Sequence, residues 1–257
     1  MPAPNTDLFA AAYQQALAGR TTAGIGTLSE KILHATLKHY YAPGADTHEI
    51  KIGRYIADIV GEDGIIEIQT QAFDRLRKKL EAFLAVARVT VVLPIARQKW
   101  ICLTDPDTGE VVSRRKSPQR GTIYHAMPEL YKIKYLLGYP GLTLRFPLMD
   151  MEEYRLLSDR PGRYQRTKAR RHQRVPLELV EEIALGCDDD YNQFLPELPE
   201  LFDSGELAKA AHIPLRLAQV TLNILLDRGV IAREGKRGRR FLYRKALALP
   251  PEMAEKA

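Results

Sequence analysis

Residues 55–69 read YIADIVGEDGIIEIQ, two β-branched runs flanking Gly61-Glu62-Asp63-Gly64. The turn residues between apolar-rich runs predict a hairpin of Tyr55–Val60 with Ile65–Thr70. With 61–64 as the loop, Val60 faces Ile65, Asp58 faces Glu67 and Ile56 faces Gln69. Strand side chains alternate, so these six positions share one face, and Ala57, Ile59, Ile66 and Ile68 fill the other. Asp58 and Glu67 then stand opposite one another with Cβ atoms roughly 5 Å apart, among Ile56, Val60 and Ile65 rather than lysines. Like charges so placed destabilise a sheet. A divalent cation removes the conflict, because two carboxylates and a backbone carbonyl such as that of Ile68 suit Mg²⁺, with waters completing the octahedron. A rim pair splayed into water, or one carboxyl kept protonated, are the alternatives.

Outward from the hairpin, Thr27–Tyr41 (TLSEKILHATLKHYY) reads as a helix stopped by Pro43-Gly44, and His48–Ile52 as a strand. Phe73, Leu76, Leu80, Phe83, Leu84 and Ala87 recur at helical spacing, with Arg75, Lys78, Lys79 and Glu81 on the other side. Val89–Ile95 is apolar enough for a central strand, Lys99–Thr104 and Glu110–Ser113 suit a second hairpin, Tyr124–Leu137 a helix, and Leu142–Leu148 a strand. This α, β, β, β, α, β order predicts an α/β fold, a mixed sheet flanked by helices, over residues 1–158. Residues 159–176 form a basic linker. Beyond it, Leu177–Leu185, Ser204–Ala211 and Pro214–Arg228 read as helices followed by a hairpin around Glu234–Gly238, the pattern of a winged helix-turn-helix over 177–257.

Composition bounds the function. The chain has 257 residues, 45% hydrophobic and 27% charged, which suits one large fold or two smaller ones with a real core. Mean hydropathy is −0.27. Cys102 and Cys187 have no CxxC spacing, so a disulfide framework or a cysteine zinc site is not indicated and a reducing cytoplasm fits. The opening MPAPNTD lacks a basic and apolar leader pattern and no eighteen apolar residues run together, so secretion and membrane spanning are not expected. The net charge of +6 is localised: residues 159–176 (DRPGRYQRTKARRHQRVP) carry seven Lys and Arg against one Asp, and residues 233–245 carry seven against Glu234. Arg114, Arg115, Lys116 and Arg120 form a third cluster. Such concentration points to surfaces that contact a polyanion.

Asp58, then Glu67-Ile68-Gln69 after an eight-residue gap, behind a helix bearing Glu30, resembles the PD-(D/E)XK nuclease superfamily, over roughly residues 20–150. The resemblance implies that Glu30, Asp58 and Glu67 bind Mg²⁺ or Mn²⁺, and that the αβββαβ order is the restriction-endonuclease-like core. Two positions depart from the pattern: Ala57 stands for proline and Gln69 for lysine. An amide can orient water but cannot act as a base, so a metal-bound hydroxide would have to attack. Glu30 also completes a capping box with Thr27, and capping and metal approach both stay open for it. The run EIQTQAFDRLRKKLEAF is similar, too, to an uncharacterised bacterial family with a C-terminal winged helix.

On the expected recognition helix, Arg216, Gln219, Asn223 and Asp227 share one face while Leu217, Val220, Ile224 and Leu225 turn inward. Arg, Gln and Asn are the side chains that read guanine and adenine edges. Lys236, Arg237, Arg239 and Arg240 of the wing, with Arg170 and Arg171 of the linker, complete the expected DNA-binding set. Two functions follow: a metal-dependent DNA endonuclease using Asp58, Glu67 and Gln69 on double-stranded DNA, or a non-enzymatic DNA-binding regulator on an inactivated nuclease fold. A homodimer is compatible with either.

Overall fold

The computed structural model describes residues 4–22, 32–157 and 169–246. The chain divides into two compact units, Met1–Ile123 with Gly141–Ala184, and Tyr124–Pro140 with Leu185–Ala257.

The first unit runs α1 (Thr6–Thr22), α2 (Ile32–Tyr41), β1 (His48–Ile52), β2 (Tyr55–Gly61), β3 (Gly64–Ile68), α3 (Phe73–Leu84), β4 (Val89–Val92), β5 (Ile95–Thr104), β6 (Val111–Lys116), β7 (Leu142–Leu157) and β8 (Ala169–Leu185). One mixed sheet has the order β1-β2-β3-β4-β7-β5-β6, and β8 also pairs with β7. The β1–β2–β3 meander is antiparallel, while β3–β4, β4–β7 and β7–β5 are parallel. The hairpin register is the expected one: Gly61 opposes Gly64, Val60 opposes Ile65 and Ile59 opposes Ile66. Gly64 has φ +115, and a Cβ there would lie 2.4 Å from the Arg88 carbonyl oxygen, so glycine alone closes this turn against the strand behind it.

Helix α3 buries Phe73, Leu76, Leu80 and Phe83, as its periodicity requires. A separate cluster joins Leu33 and Leu37 of α2 to Ile59, Ile68, Val92, Met149, Met151 and Leu179. Ala57, Ile59 and Ile68 are buried as expected, and Ile66 is half-buried.

Three expectations are corrected, and one helix is added. Helix α1, which buries Phe9 with the small Ala12 and Ala16, was not read from the sequence. The strand expected over Val89–Ile95 ends at Val92, and β5 begins after Leu93-Pro94 because proline cannot donate to a ladder. Leu177–Leu185 is strand, not helix, and with Ala169–Pro176 of the expected linker it forms β8. Pairing with β7 and burial of Leu179, Ile183 and Leu185 at spacings of four and two override the helical preference of its glutamates. The expected hairpin turn at Glu234–Gly238 lies instead at Gly238-Arg239.

In the second unit, α4 (Met127–Lys132) precedes α5 (Ser204–Ala210), α6 (Leu215–Asp227) and the antiparallel hairpin of β9 (Ile231–Arg237) and β10 (Arg240–Lys245). Asp203 caps α5 by accepting from the Gly205 and Glu206 amides at 2.7 and 3.1 Å, and the Glu206 carboxylate accepts from the Asp203 amide at 2.7 Å. Helix α6 buries Ala218, Thr221, Leu222, Ile224 and Leu225, while Leu217 and Val220 are half-buried. The segment of α4 flanks α6: Lys134 pairs with Asp227 at 2.9 Å, and Arg228 donates to the Leu137 carbonyl at 2.6 Å.

Candidate functional site

The β2–β3 ladder ends at Ile59 and Ile66, and the next pair in that register is Asp58 and Glu67. Beyond the ladder, the Ile68 amide donates to Asp58 Oδ2 at 2.7 Å, and His34 of α2 lies 3.3 Å from the same oxygen. Lys79 of α3 donates to Glu67 Oε1. The pair is therefore not bare, as the sequence alone had it: Lys79 comes from a helix whose register against the sheet the hairpin does not reveal. The spacing of Phe73, Leu76, Leu80 and Phe83 puts Lys79 beside the buried stripe, which was the available signal.

The two carboxylates differ in their electrostatics. Burial works against ionising Asp58, but the His34 bond and charge, the Ile68 amide and the Lys79 charge outweigh it and hold its pKa below the ordinary value. Glu67 is raised from 4.5 to about 7, first by burial and then by the Asp58 charge, against the pull of Lys79. Its Oε2 is buried without a hydrogen-bond partner among the described residues. An orphaned carboxylate oxygen beside a second acid fits a cation. Among the described residues no group of three or more His, Cys, Asp or Glu is assembled as a metal set. Glu30, the third expected ligand, lies outside the described residues.

Gln69 follows β3; its amide nitrogen bonds the Gln71 carbonyl and its backbone amide bonds Val92 at 2.9 Å. Its side chain is thus held by its own turn. Gln69 and Ile68 line a cavity of about 340 Å³ with Leu33, His34, Arg171 and Arg174. Arg171, expected for DNA contact, is brought to this cavity, and Arg170 is exposed on the same strand.

In the second unit Arg216 and Gln219 are exposed on α6, as is Asn223, whose Oδ1 lies 3.3 Å from Lys134 Nζ. Lys236, Arg237, Arg239 and Arg240 are all exposed on the β9–β10 hairpin. Arg237 pairs with Glu206 at 3.1 Å and Arg240 with Asp203 at 3.4 Å, while Lys236 and Arg233 lie 4.8 and 3.8 Å from the centre of the Phe241 ring.

Residues 31–186 match the family described as Domain of unknown function (DUF8091). The chain belongs to the DUF8091 family. The match spans α2 to β8, and so includes Asp58, Glu67, Lys79 and the cavity. This DUF8091 chain is also 33% identical over 224 residues, 86% of its length and 87% of the relative's, to an uncharacterised protein of Treponema pallidum (strain Nichols). No solved structure matches it significantly. No helix among the described residues of the DUF8091 chain is long and apolar enough to cross a membrane.

Proposed function

We propose that the protein is a metal-dependent nuclease acting on DNA, with Asp58 and Glu67 as ligands of one Mg²⁺ or Mn²⁺ ion and the Ile68 carbonyl as a further donor. The observation that carries the reading is the buried Glu67 Oε2, without a hydrogen-bond partner among the described residues, beside an acid whose environment keeps it ionised. When bound, the ion supplies a Lewis acid for the phosphoryl oxygen and lowers the pKa of a coordinated water. The chain's own residues do the rest. His34 and the Ile68 amide fix the Asp58 carboxylate. Lys79 holds Glu67 and brings to the site the positive charge that Gln69 lacks, from α3 rather than from β3. Helices α5 and α6 with the basic β9–β10 hairpin are compatible with a winged helix that docks on duplex, where Lys and Arg contact phosphates and Arg216 and Gln219 face base edges.

The second reading is a DNA-binding regulator without catalysis. Two observations favour it: Lys79 already neutralises Glu67, and the Gln69 amide is spent on the Gln71 carbonyl. Incubation of the full-length protein with supercoiled plasmid separates the two. Nicking or linearisation with Mg²⁺ or Mn²⁺, lost in EDTA and in Asp58→Asn, supports the nuclease. Binding without cleavage under all these conditions supports the regulator.

A further inference from the structure

The cavity beside the carboxylates has features that the metal pair does not use. It lies between the end of β3, the start of α2 and the first half of β8, and it is lined by Leu33, His34, Ile68, Gln69, Thr70, Gln71 and Arg171 to Arg174. Its rim is joined to the acids through His34 and the Ile68 amide, both bonded to Asp58. Arg174 is half-buried, and its Nε is fully buried without a hydrogen-bond partner among the described residues. Its ion-pair partner Glu153 lies 3.7 Å from that nitrogen, offsets part of the effect of burial on Arg174, and is shared with Lys99 at 3.2 Å and Arg155 at 2.7 Å. Three cations thus surround one buried carboxylate. Arg171 lines the same cavity and adds a like charge that, after burial, further disfavours the charged form of Arg174. Converging guanidiniums with an unmade buried donor are costly unless an anion completes them.

We infer that this cavity is a phosphate subsite, in which Arg174 and Arg171 hold a backbone phosphate of a single, unpaired nucleotide of a nucleic-acid strand. Arg is the side chain suited to phosphate, Arg171 is itself held over the cavity by a bond to Gln71 Oε1 at 3.4 Å, and Gln173 and Thr70 offer donors and acceptors to a base. The cavity is at the lower end of the roughly 300–1,000 Å³ of ligand-sized clefts. A base pair still stacked in its duplex cannot enter such a volume, so the strand must present an unpaired nucleotide, at an end, a gap or a flipped position. The inference rests on the nucleic-acid reading for its ligand but not on hydrolysis.

The test uses full-length protein in EDTA, so that cleavage plays no part. A fluorescein-labelled twelve-residue oligothymidylate and its duplex with oligoadenylate are titrated by anisotropy, with inorganic phosphate as competitor. Arg174→Met, which keeps the stem and removes the donors, should weaken the single strand by about tenfold to a hundredfold and leave the duplex unchanged, and Arg174→Lys should recover part of the loss. In wild type, both phosphate and the oligothymidylate should slow phenylglyoxal modification of Arg171 and Arg174, read by peptide mass; this arm stands even if Arg174→Met fails to fold. Unchanged single-strand affinity in a folded Arg174→Met, or no protection by either ligand, overturns the subsite. Protection by phosphate alone overturns the nucleic-acid ligand in favour of a small phosphoester. Absence of plasmid cleavage by wild type with Mg²⁺ or Mn²⁺, with protection intact, sinks the nuclease reading and leaves the subsite standing.

Discussion

At the scale of single residues, Glu67 makes the sharpest demand, because its protonation is tied to stability and, in the proposed function, to metal binding. Its folded pKa of about 7 lies above the ordinary 4.5, so the folded state binds the proton more tightly than the unfolded chain does. The stability linked to that proton is complete below about pH 4.5 and is lost as pH rises through 7, a difference on the order of 3 kcal/mol. Glu67→Gln imitates the protonated acid at every pH. Without metal it should therefore be more stable than wild type at pH 8, by up to about 3 kcal/mol in urea unfolding, and equal to it near pH 4. A glutamate serving only as the partner of Lys79 would give the opposite sign at pH 8. Because the ion competes with the same proton, Mn²⁺ affinity measured by calorimetry should fall about tenfold per pH unit below 7, and Asp58→Asn should abolish it. Lys79→Met leaves the buried acids without their cation. Its cleavage rate should drop at least about a hundredfold, while Mn²⁺ binding should be retained or tightened, since a competing positive charge is gone.

At the scale of elements, β8 separates what local pattern carries from what only pairing decides. Leu179 is 1% exposed within the core cluster and Leu177 is 47% exposed, so Leu179→Ala should cost about 2–5 kcal/mol and Leu177→Ala less than about 0.5 in denaturant unfolding. The β2–β3 register and the stripe of α3 were legible because a glycine turn and a 3.6-residue period are local signals. The αβββαβ order up to β4 followed from them, and with it the juxtaposition of Asp58 and Glu67. The stretch LELVEEIAL carries both periods at once, and what decides for strand is its pairing with β7, which the stretch itself does not reveal. The same reason hid Lys79 and Arg174. Each is an ordinary member of a basic run until α3 is packed on the sheet or β8 is paired with β7. Likewise α4, which flanks α6, comes from residues about ninety positions earlier, where the sequence suggested Leu177–Leu185 as the third helix.

For the molecule as a whole, the question is which of its localised charges are available to a polyanion, since the net +6 is a sum over sites already partly neutralised. Counterion release gives each phosphate contact a slope of about 0.9 in log K against log salt, whatever the DNA sequence. Arg237 and Arg240 are engaged with Glu206 and Asp203, the two acids of the α5 cap, so removing them disturbs the helix start as well as any contact with DNA. Lys236 and Arg239 are exposed on the same hairpin, and among the described residues neither is recorded in a salt bridge with an acid. The double change Lys236→Ala with Arg239→Ala in the full chain should therefore lower the salt slope for duplex by about 1.8 without changing the melting temperature, and should weaken all sequences alike. Arg240→Ala should lower the melting temperature, because it leaves Asp203 short of its cation. On α6, Arg216→Ala should change sequence preference by roughly 1–3 kcal/mol at a favoured site, whereas Asn223→Ala should not, because its carbonyl already faces Lys134. Affinity for duplex that does not respond to salt between about 50 and 200 mM, a range over which six phosphate contacts cost on the order of a thousandfold, would show that the hairpin's charge serves something other than nucleic acid.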